Sequence, residues 1–357
     1  MLKSISIKNF TVFGDDFPLL KFSPGLNIII GENATGKSHL MKLGYALAFG
    51  SVQAKTAPRQ SKDEMGRIVG DKLLGVFGTD KLGRLVSRRP GRSRCEITIA
   101  MGQQPCDFSL AFSTNSQIAQ ITKLPQNYLS KKPVYFPTRE MLSPYPGFVG
   151  ACEENVLHFD DTYVDLAKAL GHAQTQGRRK EKAQKLMDPL EEAMQAKIIQ
   201  KNDRFYLRHQ QKSKGDLEIE FEAEGHRKLA MLTYLIANGQ LDQAGSTLFW
   251  DEPETNMNAR MIRVLAQAII NLSGMGVQVM IATHSLFLLR ELDMLNMKKS
   301  RKENMKVIAL VRNEETGEVK AATCENDIDE IDLDYFVVLK EEAEQGMKYI
   351  DRQTEDE

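Results

Sequence analysis

Residues 26–38 read LNIIIGENATGKS, and the reading of this stretch decides the fold. Leu26 to Ile30 form a continuous apolar run, the pattern of a strand buried on both faces of a parallel sheet. Gly31-Glu32-Asn33-Ala34-Thr35-Gly36-Lys37-Ser38 then fits GxxxxGK[ST] without a mismatch, and a helical pattern runs from His39 to about Phe49. Strand, glycine-rich turn and helix in that order make a phosphate-binding P-loop. The glycines let backbone N–H groups turn toward phosphates, and the helix N-terminus adds the positive end of its dipole. Lys37 is placed to reach the β- and γ-phosphates of ATP, and the Ser38 hydroxyl to bind Mg²⁺. The candidate nucleotide-binding residues are Gly31, Glu32, Asn33, Ala34, Thr35, Gly36, Lys37, Ser38 and His39, with Lys37 also a candidate catalytic group.

Two further strand ends carry chemistry. Thr247-Leu248-Phe249-Trp250 runs into Asp251-Glu252-Pro253. An acid at the end of a buried parallel strand lies where open α/β sheets bind ligands. Asp251 is the candidate second Mg²⁺ ligand, and Glu252 the candidate base that polarises the water attacking the γ-phosphate. The run VQVMIA leads into Thr283-His284-Ser285. His284 is expected level with Asp251, where it contacts the γ-phosphate or positions the water.

Around these motifs the chain alternates between strand and helix patterns. Leu2, Ile5, Ile7 and Phe10 alternate with polar residues as a half-buried strand. Residues 50–95, rich in Gly, Ser, Lys and Arg, read as an exposed insertion with one possible helix near 62–75. CEITIA and CDFSLAF read as an antiparallel pair, and PVYFP as a buried strand. Residues 153–198 read as helical, with Pro189 breaking or starting a helix. A hairpin turns at Asn202-Asp203 before the expected strand LEIEFEA. EGHRKLAMLTYLI begins an amphipathic helix, 259–272 another, and SLFLLREL a third. KVIALVRN and VKAATC read as an antiparallel edge pair, and 327–348 as a helical segment. The domain boundaries that follow are 1–142 (P-loop lobe with an antiparallel β subdomain), 143–215 (helical insertion and hairpin) and 216–357 (the lobe with Asp251, Glu252 and His284).

Composition narrows the class. With 42% hydrophobic and 27% charged residues the chain is globular, and a formal net charge of −1 gives it no global pull toward nucleic acid or anionic lipid. The apolar runs are strand-length, too short to span a bilayer. Cys95, Cys106, Cys152 and Cys324 are widely spaced without a CxxC, which fits reduced thiols in a cytoplasmic protein.

GENATGKS, FWDEPE and ATHS in this order resemble ABC-type ATPases, in the soluble branch of chromosome-maintenance (SMC) proteins, DNA-repair ATPases, overcoming-lysogenization-defect (OLD) proteins and bacterial defence ATPases. The opening LKSISIKNFTVFGD is similar to the usual start of that branch. The resemblance covers roughly 1–50, 133–142 and 217–296. It implies an α/β fold: an ABC-type P-loop NTPase head, a mixed parallel sheet core with an antiparallel β subdomain and an inserted helical subdomain.

It also implies that ATP is sandwiched between two heads, the second supplying a signature segment at a helix N-terminus. Glu224, Gly225 and His226 stand where that segment belongs, with Arg227 or Lys228 adding charge. Glu224 replaces the usual serine, which leaves the γ-phosphate contact open. After VYFP the family's glutamine is absent, leaving Thr138, Arg139 or Glu140 to sense the γ-phosphate or to form structural salt bridges. The segment from Glu254 to Asn258 occupies the place that crosses the dimer interface.

The chain has no sustained heptads for a long coiled coil and no acidic set of a Toprim nuclease after His284, so it reads as a stand-alone head. The leading expectation is an ATPase that forms a homodimer or higher homo-oligomer around ATP and Mg²⁺. It would signal to a separate effector, a nuclease or toxin, in anti-phage defence or a toxin-like module. The alternative is an ATP-gated DNA or RNA clamp, motivated by Arg84, Arg88, Arg89, Arg92 and Arg94 and by Lys298-Lys299-Ser300-Arg301-Lys302. A transporter subunit is disfavoured by the missing glutamine and altered signature. A small-molecule kinase gives the Asp-Glu pair no role.

Overall fold

The computed structural model describes residues 1–88, 93–102, 105–175, 178–211, 215–241, 244–297, 305–313 and 317–325, with scattered positions beyond. The expected helical segment at 327–348 lies almost wholly outside them, as do Arg89, Arg92 and the run 298–302.

A six-stranded mixed sheet forms the centre. Its order is β14 (Val319–Glu325), β13 (Met305–Arg312), β3 (Leu26–Gly31), β12 (Gln278–Thr283), β11 (Thr247–Asp251), β7 (Val134–Phe136). All neighbours are parallel except β13 and β14. β3, β11 and β12 are buried along their whole length, as their unbroken apolar runs require. Alternate residues face two separate cores. Ile28, Ile30, Leu248, Trp250, Val279 and Ile281 enter one, and Ile29, Phe249, Met280 and Ala282 the other.

The second core is closed by the antiparallel sheet β2 (Leu20–Lys21), β1 (Leu2–Lys8), β4 (Arg94–Met101), β5 (Phe108–Ser113), β6 (Gln120–Lys123) and by helices α1 (Lys37–Lys55) and α2 (Lys62–Phe77). The first core carries α3 (Phe148–Glu153), α4 (Asp161–Leu170), α5 (Arg178–Met194), the sheet β10 (Asp216–Glu218), β9 (Arg204–His209), β8 (Ala196–Lys201), and then α6 (Glu224–Ala237), α7 (Ala259–Gly274) and α8 (Leu286–Met297). This is the α/β head architecture expected from the motifs.

Three expectations change. Residues 50–95 are not an exposed insertion: α1 runs on to Lys55, and α2 buries Met65, Val69, Leu73 and Val76 as one stripe. Gly66 lets α2 approach β6 so closely that a Cβ there would stand 2.2 Å from Ala119 O. Glycine here serves packing, not a loop. Pro189 lies inside α5 and does not end it. LEIEFEA is a strand only to Glu218, in the small sheet with β9, because Ile219–Phe221 close into a 3-10 turn that drives Ile219 into the core. β13 and β14 form the expected antiparallel pair at the end of the sheet, with β13 also pairing in parallel with β3 and β14 outermost. At Asn202 and Asp203, φ values of 46° and 60° make the two-residue turn that suits a hairpin's twist.

Candidate functional site

Register brings the three motifs to one rim. Thr283 pairs with Ile30, and Asp251 with Ala282. Gly31, Glu252 and His284 therefore leave the sheet side by side, at the C-terminal strand ends where α/β sheets bind ligands.

The P-loop is shaped by contacts that exclude side chains. A Cβ at Gly31 would stand 2.4 Å from Leu310 O, and one at Gly36, where φ is +91°, 2.6 Å from Val12 Cγ2. The Thr35 hydroxyl bonds Glu32 O at 2.8 Å. Lys37 is buried and folds over its own loop, donating to Gly31 O (2.7 Å) and Glu32 O (2.8 Å). Burial pulls its ammonium below the usual value, against the opposing charges of Glu252 and Asp251. α1 starts at Gly36 without a side-chain cap, so its first amides stay available to an anion. The His39 side chain turns away from the loop, 5.8 Å from the Phe77 ring. There it joins Thr11, Val12, Phe77 and Thr79 in the wall of a cavity of about 660 Å³.

Asp251 is buried, and Oδ2 accepts from the Tyr135 hydroxyl at 3.3 Å while Oδ1 has no hydrogen-bond partner. Burial pushes its carboxyl up, and the Ser38 and Tyr135 hydroxyls oppose the rise. An orphaned carboxylate oxygen beside a serine hydroxyl suits a small hard cation. Among the described residues no group of three or more His, Cys, Asp or Glu ligands occurs. Mg²⁺ would therefore rest on Ser38, Asp251, the nucleotide and water.

Glu252 holds φ at +46°, unusual for a residue with a side chain, and its Oε1 lies 3.3 Å from His284 Nδ1. Both side chains are partly open to solvent, as an attacking water requires. Two residues on, buried Glu254 accepts from the Thr283 hydroxyl, whose oxygen in turn accepts from Ser285 N at 2.9 Å. This chain fixes the turn that presents His284. The carboxyl of Glu254 is pushed up by burial.

The structure does not bring Glu224, Gly225 and His226 to this rim through any recorded contact with the P-loop. α6 begins at Ala223, also without a side-chain cap. Glu224 Oε2 accepts from Asn256 Nδ2 at 2.7 Å. His226 bonds Glu222 at 3.1 Å, and Glu222 also bonds His209 at 2.8 Å. These two histidines hold the Glu222 carboxyl below its usual value, against its own burial.

Arg227 and Lys228 do not stand free at the helix tip. Arg227 Nη1 pairs with Glu140 Oε1 at 3.3 Å and donates to Ser143 Oγ at 2.6 Å. Glu140 Oε2 accepts from Leu142 N and Ser143 N, so of the three residues after β7 it is a bracket to α6. Arg139 is exposed and Thr138 partly so. Lys228 is fully buried, its Nζ on the carbonyls of Thr255 and Glu252.

Sequence reasoning missed Tyr135, the role of Glu254, the cavity beside His39 and the burial of Lys228. Only Glu254, a second acid in DEPE, carried a local signal.

Two family models match the chain: "AAA domain, putative AbiEii toxin, Type IV TA system" over residues 106–290, and "AAA domain" over residues 4–141. A stretch of 81 residues is 37% identical to the DNA replication and repair protein RecF of Limosilactobacillus fermentum (strain NBRC 3956 / LMG 18251). It spans 22% of this chain and only 18% of that protein. The fold is similar to an Smc head solved bound to the C-winged helix domain of ScpA, with a TM-score of 0.55, 12% identity and coverage of 91% of this chain and 97% of that one. The SMC head domain from Thermotoga maritima aligns at a TM-score of 0.47 with 14% identity, over 91% of this chain and 99% of that one. Among the described residues no helix is long and apolar enough to cross a membrane.

Proposed function

Because the chain belongs to the AAA-domain family described as putative AbiEii toxin, type IV toxin–antitoxin system, we propose that it binds and hydrolyses ATP at the rim of its central sheet. The observation that carries this reading is the placement of Lys37, Asp251 and the Glu252–His284 pair around one P-loop. On binding, the β- and γ-phosphates displace Gly31 O and Glu32 O as partners of Lys37. The loop amides and the uncapped end of α1 hold the same phosphates, and base and ribose lie in the cavity of Thr11, His39 and Phe77. Ser38 and Asp251 would hold Mg²⁺, which would supply neutralisation of the charge developing on the phosphate oxygens. Glu252 accepts a proton from the attacking water, and His284, in contact with its carboxylate, fixes the water's place.

The site is completed in trans. The uncapped N-terminus of α6, with Glu224, Gly225 and His226, faces the nucleotide of a second copy, so ATP closes a homo-oligomer. The residue spans 1–142, 143–215 and 216–357 act as P-loop lobe, helical insertion and signature lobe. Closure is relayed to a separate effector in a toxin-like or anti-phage module; the matched family's description names a putative toxin of a type IV toxin–antitoxin system. Mass measurement of the Glu252→Gln chain with and without ATP tests this. An ATP-dependent doubling or greater is expected, and a persistent monomer at saturating ATP overturns the composite site.

The RecF-like stretch favours a second reading, an ATP-gated nucleic-acid clamp. ATP-dependent DNA binding that weakens steeply with salt would support it. No binding at low salt sinks it.

A further inference from the structure

α6 and the loop after β11 are fastened to each other at three points. Glu224 accepts from Asn256. Gly225 lies so close that a Cβ would stand 3.2 Å from Asn256 O and 2.7 Å from Met261 Cε. Lys228 donates from Nζ to Thr255 O at 3.0 Å and, at the limit of a hydrogen bond, to Glu252 O at 3.5 Å.

The third contact is the unusual one. Lys228 has no exposed surface, and its recorded hydrogen-bond partners are carbonyl oxygens. An ammonium taken out of water is costly, and a methionine of similar length would fill the same space without that cost. What the methionine would lack is a donor for the two carbonyls. Glu252 O also accepts from Thr255 N (3.2 Å) and from Thr255 Oγ1 (3.0 Å). Three donors therefore converge on the carbonyl of the residue whose left-handed backbone directs its carboxylate at His284. A strained conformation of this kind persists only when its surroundings over-determine it.

We propose that Lys228 is a positioning residue that ties the N-terminus of α6 to the backbone of Glu252 within one chain. The inference rests on the composite site proposed above. In a closed pair, α6 of one chain serves the nucleotide of its partner, while Glu252 of that same chain serves its own. A phosphate that seats against α6 shifts Lys228, and Lys228 shifts Thr255 O and Glu252 O. Occupancy of one site thereby sets the base of the other. Turnover by the pair is cooperative.

The test compares Lys228→Met and Lys228→Arg with the wild-type chain in ATP affinity, kcat, the Hill coefficient of turnover and ATP-driven assembly. Lys228→Met is expected to bind ATP within about twofold of wild type, because the P-loop is untouched. Its kcat should fall about a hundredfold, the scale of a small misplacement of a catalytic group, and its Hill coefficient should drop to about 1. Lys228→Arg keeps the charge but presents a planar fork, so it should assemble on ATP with kcat and Hill coefficient between the two. It also carries the test if the methionine chain does not fold. Variants of lowered Tm whose kcat and Hill coefficient match wild type would show that Lys228 only fills space, which overturns the inference alone. A wild-type chain that stays monomeric on ATP overturns the composite site, and the inference with it.

Discussion

Two helix N-termini of this chain enter the proposed composite site, and they are built differently. α2, α4 and α7 begin with side-chain caps from Ser61, Asp160 and Asn258. α1, α6 and the short α3 begin with none. At α1 the uncapped amides sit in a cradle made within the same chain, with glycines where a Cβ would collide and Lys37 folded over the loop. At α6 there is no cradle. The first turn carries an acid, and Glu224, Gly225 and Lys228 hold the helix to the loop that follows Glu252. In the proposed function the first end serves the chain's own nucleotide and the second that of another copy.

The largest effect should come from the chemistry at the α1 end. Glu252→Gln keeps the shape of the base and removes its basicity, so steady-state ATP hydrolysis should fall about a hundred- to ten-thousandfold while ATP binding survives. Wild-type turnover in that variant would move the base elsewhere. Lys37→Ala removes charge-assisted hydrogen bonds, so ATP affinity measured by titration should drop about ten- to hundredfold. Equal affinity would mean that the cradle does not hold phosphate. A smaller effect tests α6. Glu224→Ser takes a carboxylate away from the expected position of a neighbour's γ-phosphate, and half-maximal assembly should need about two- to fivefold less ATP. If the ATP requirement does not move, α6 and the nucleotide do not meet.

The smallest effect is on stability. Burial raises the carboxyls of both Asp251 and Glu254. A carboxyl raised in the folded state contributes stability below its unfolded value, and that contribution is lost as pH rises through the folded one. The contribution therefore shrinks as pH rises from the unfolded carboxyl value. Asp251→Asn restores it without a charge, so Tm of the nucleotide-free protein at pH 7 should rise by about 1–3 °C while turnover is lost. The gain should shrink as the pH is lowered toward the unfolded carboxyl value. A fall in Tm would show that the carboxylate is already compensated.

The same comparison explains what could be read from the residues alone. LNIIIGENATGKS is legible because strand, turn and helix are consecutive and each needs its own residue types. TLFWDEP and VQVMIATH are legible for the same reason. Lys228 was not, because its burial depends on carbonyls 24 and 27 residues away. The helix near 62–75 was legible but its burial was not, because its glycines and Lys72 dilute the stripe of Met65, Val69, Leu73 and Val76 although they lie on packed surfaces. KVIALVRN and VKAATC were legible as an antiparallel edge pair, but nothing within KVIALVRN says that β3 is its other neighbour, because pairing is settled between distant strands. His39 was read as nucleotide-binding by its place after Ser38; its side chain lies by Phe77, in the wall of the cavity proposed for base and ribose.

The position of β3 has a consequence for how the chain comes off the ribosome. The strand that introduces the P-loop ends at Gly31, yet its two sheet neighbours are β12 and β13, which begin at Gln278 and Met305. Five parallel strands thus close around a segment made well before its two neighbours. At about 5–20 residues per second, β3 waits on the order of tens of seconds for both partners. During that interval an apolar strand has no native neighbours, and the glycine cradle lacks the Leu310 carbonyl that packs against Gly31. Nucleotide binding and burial of this strand are therefore late, nearly simultaneous events, and a nascent chain stalled before Met305 has reason to engage a chaperone.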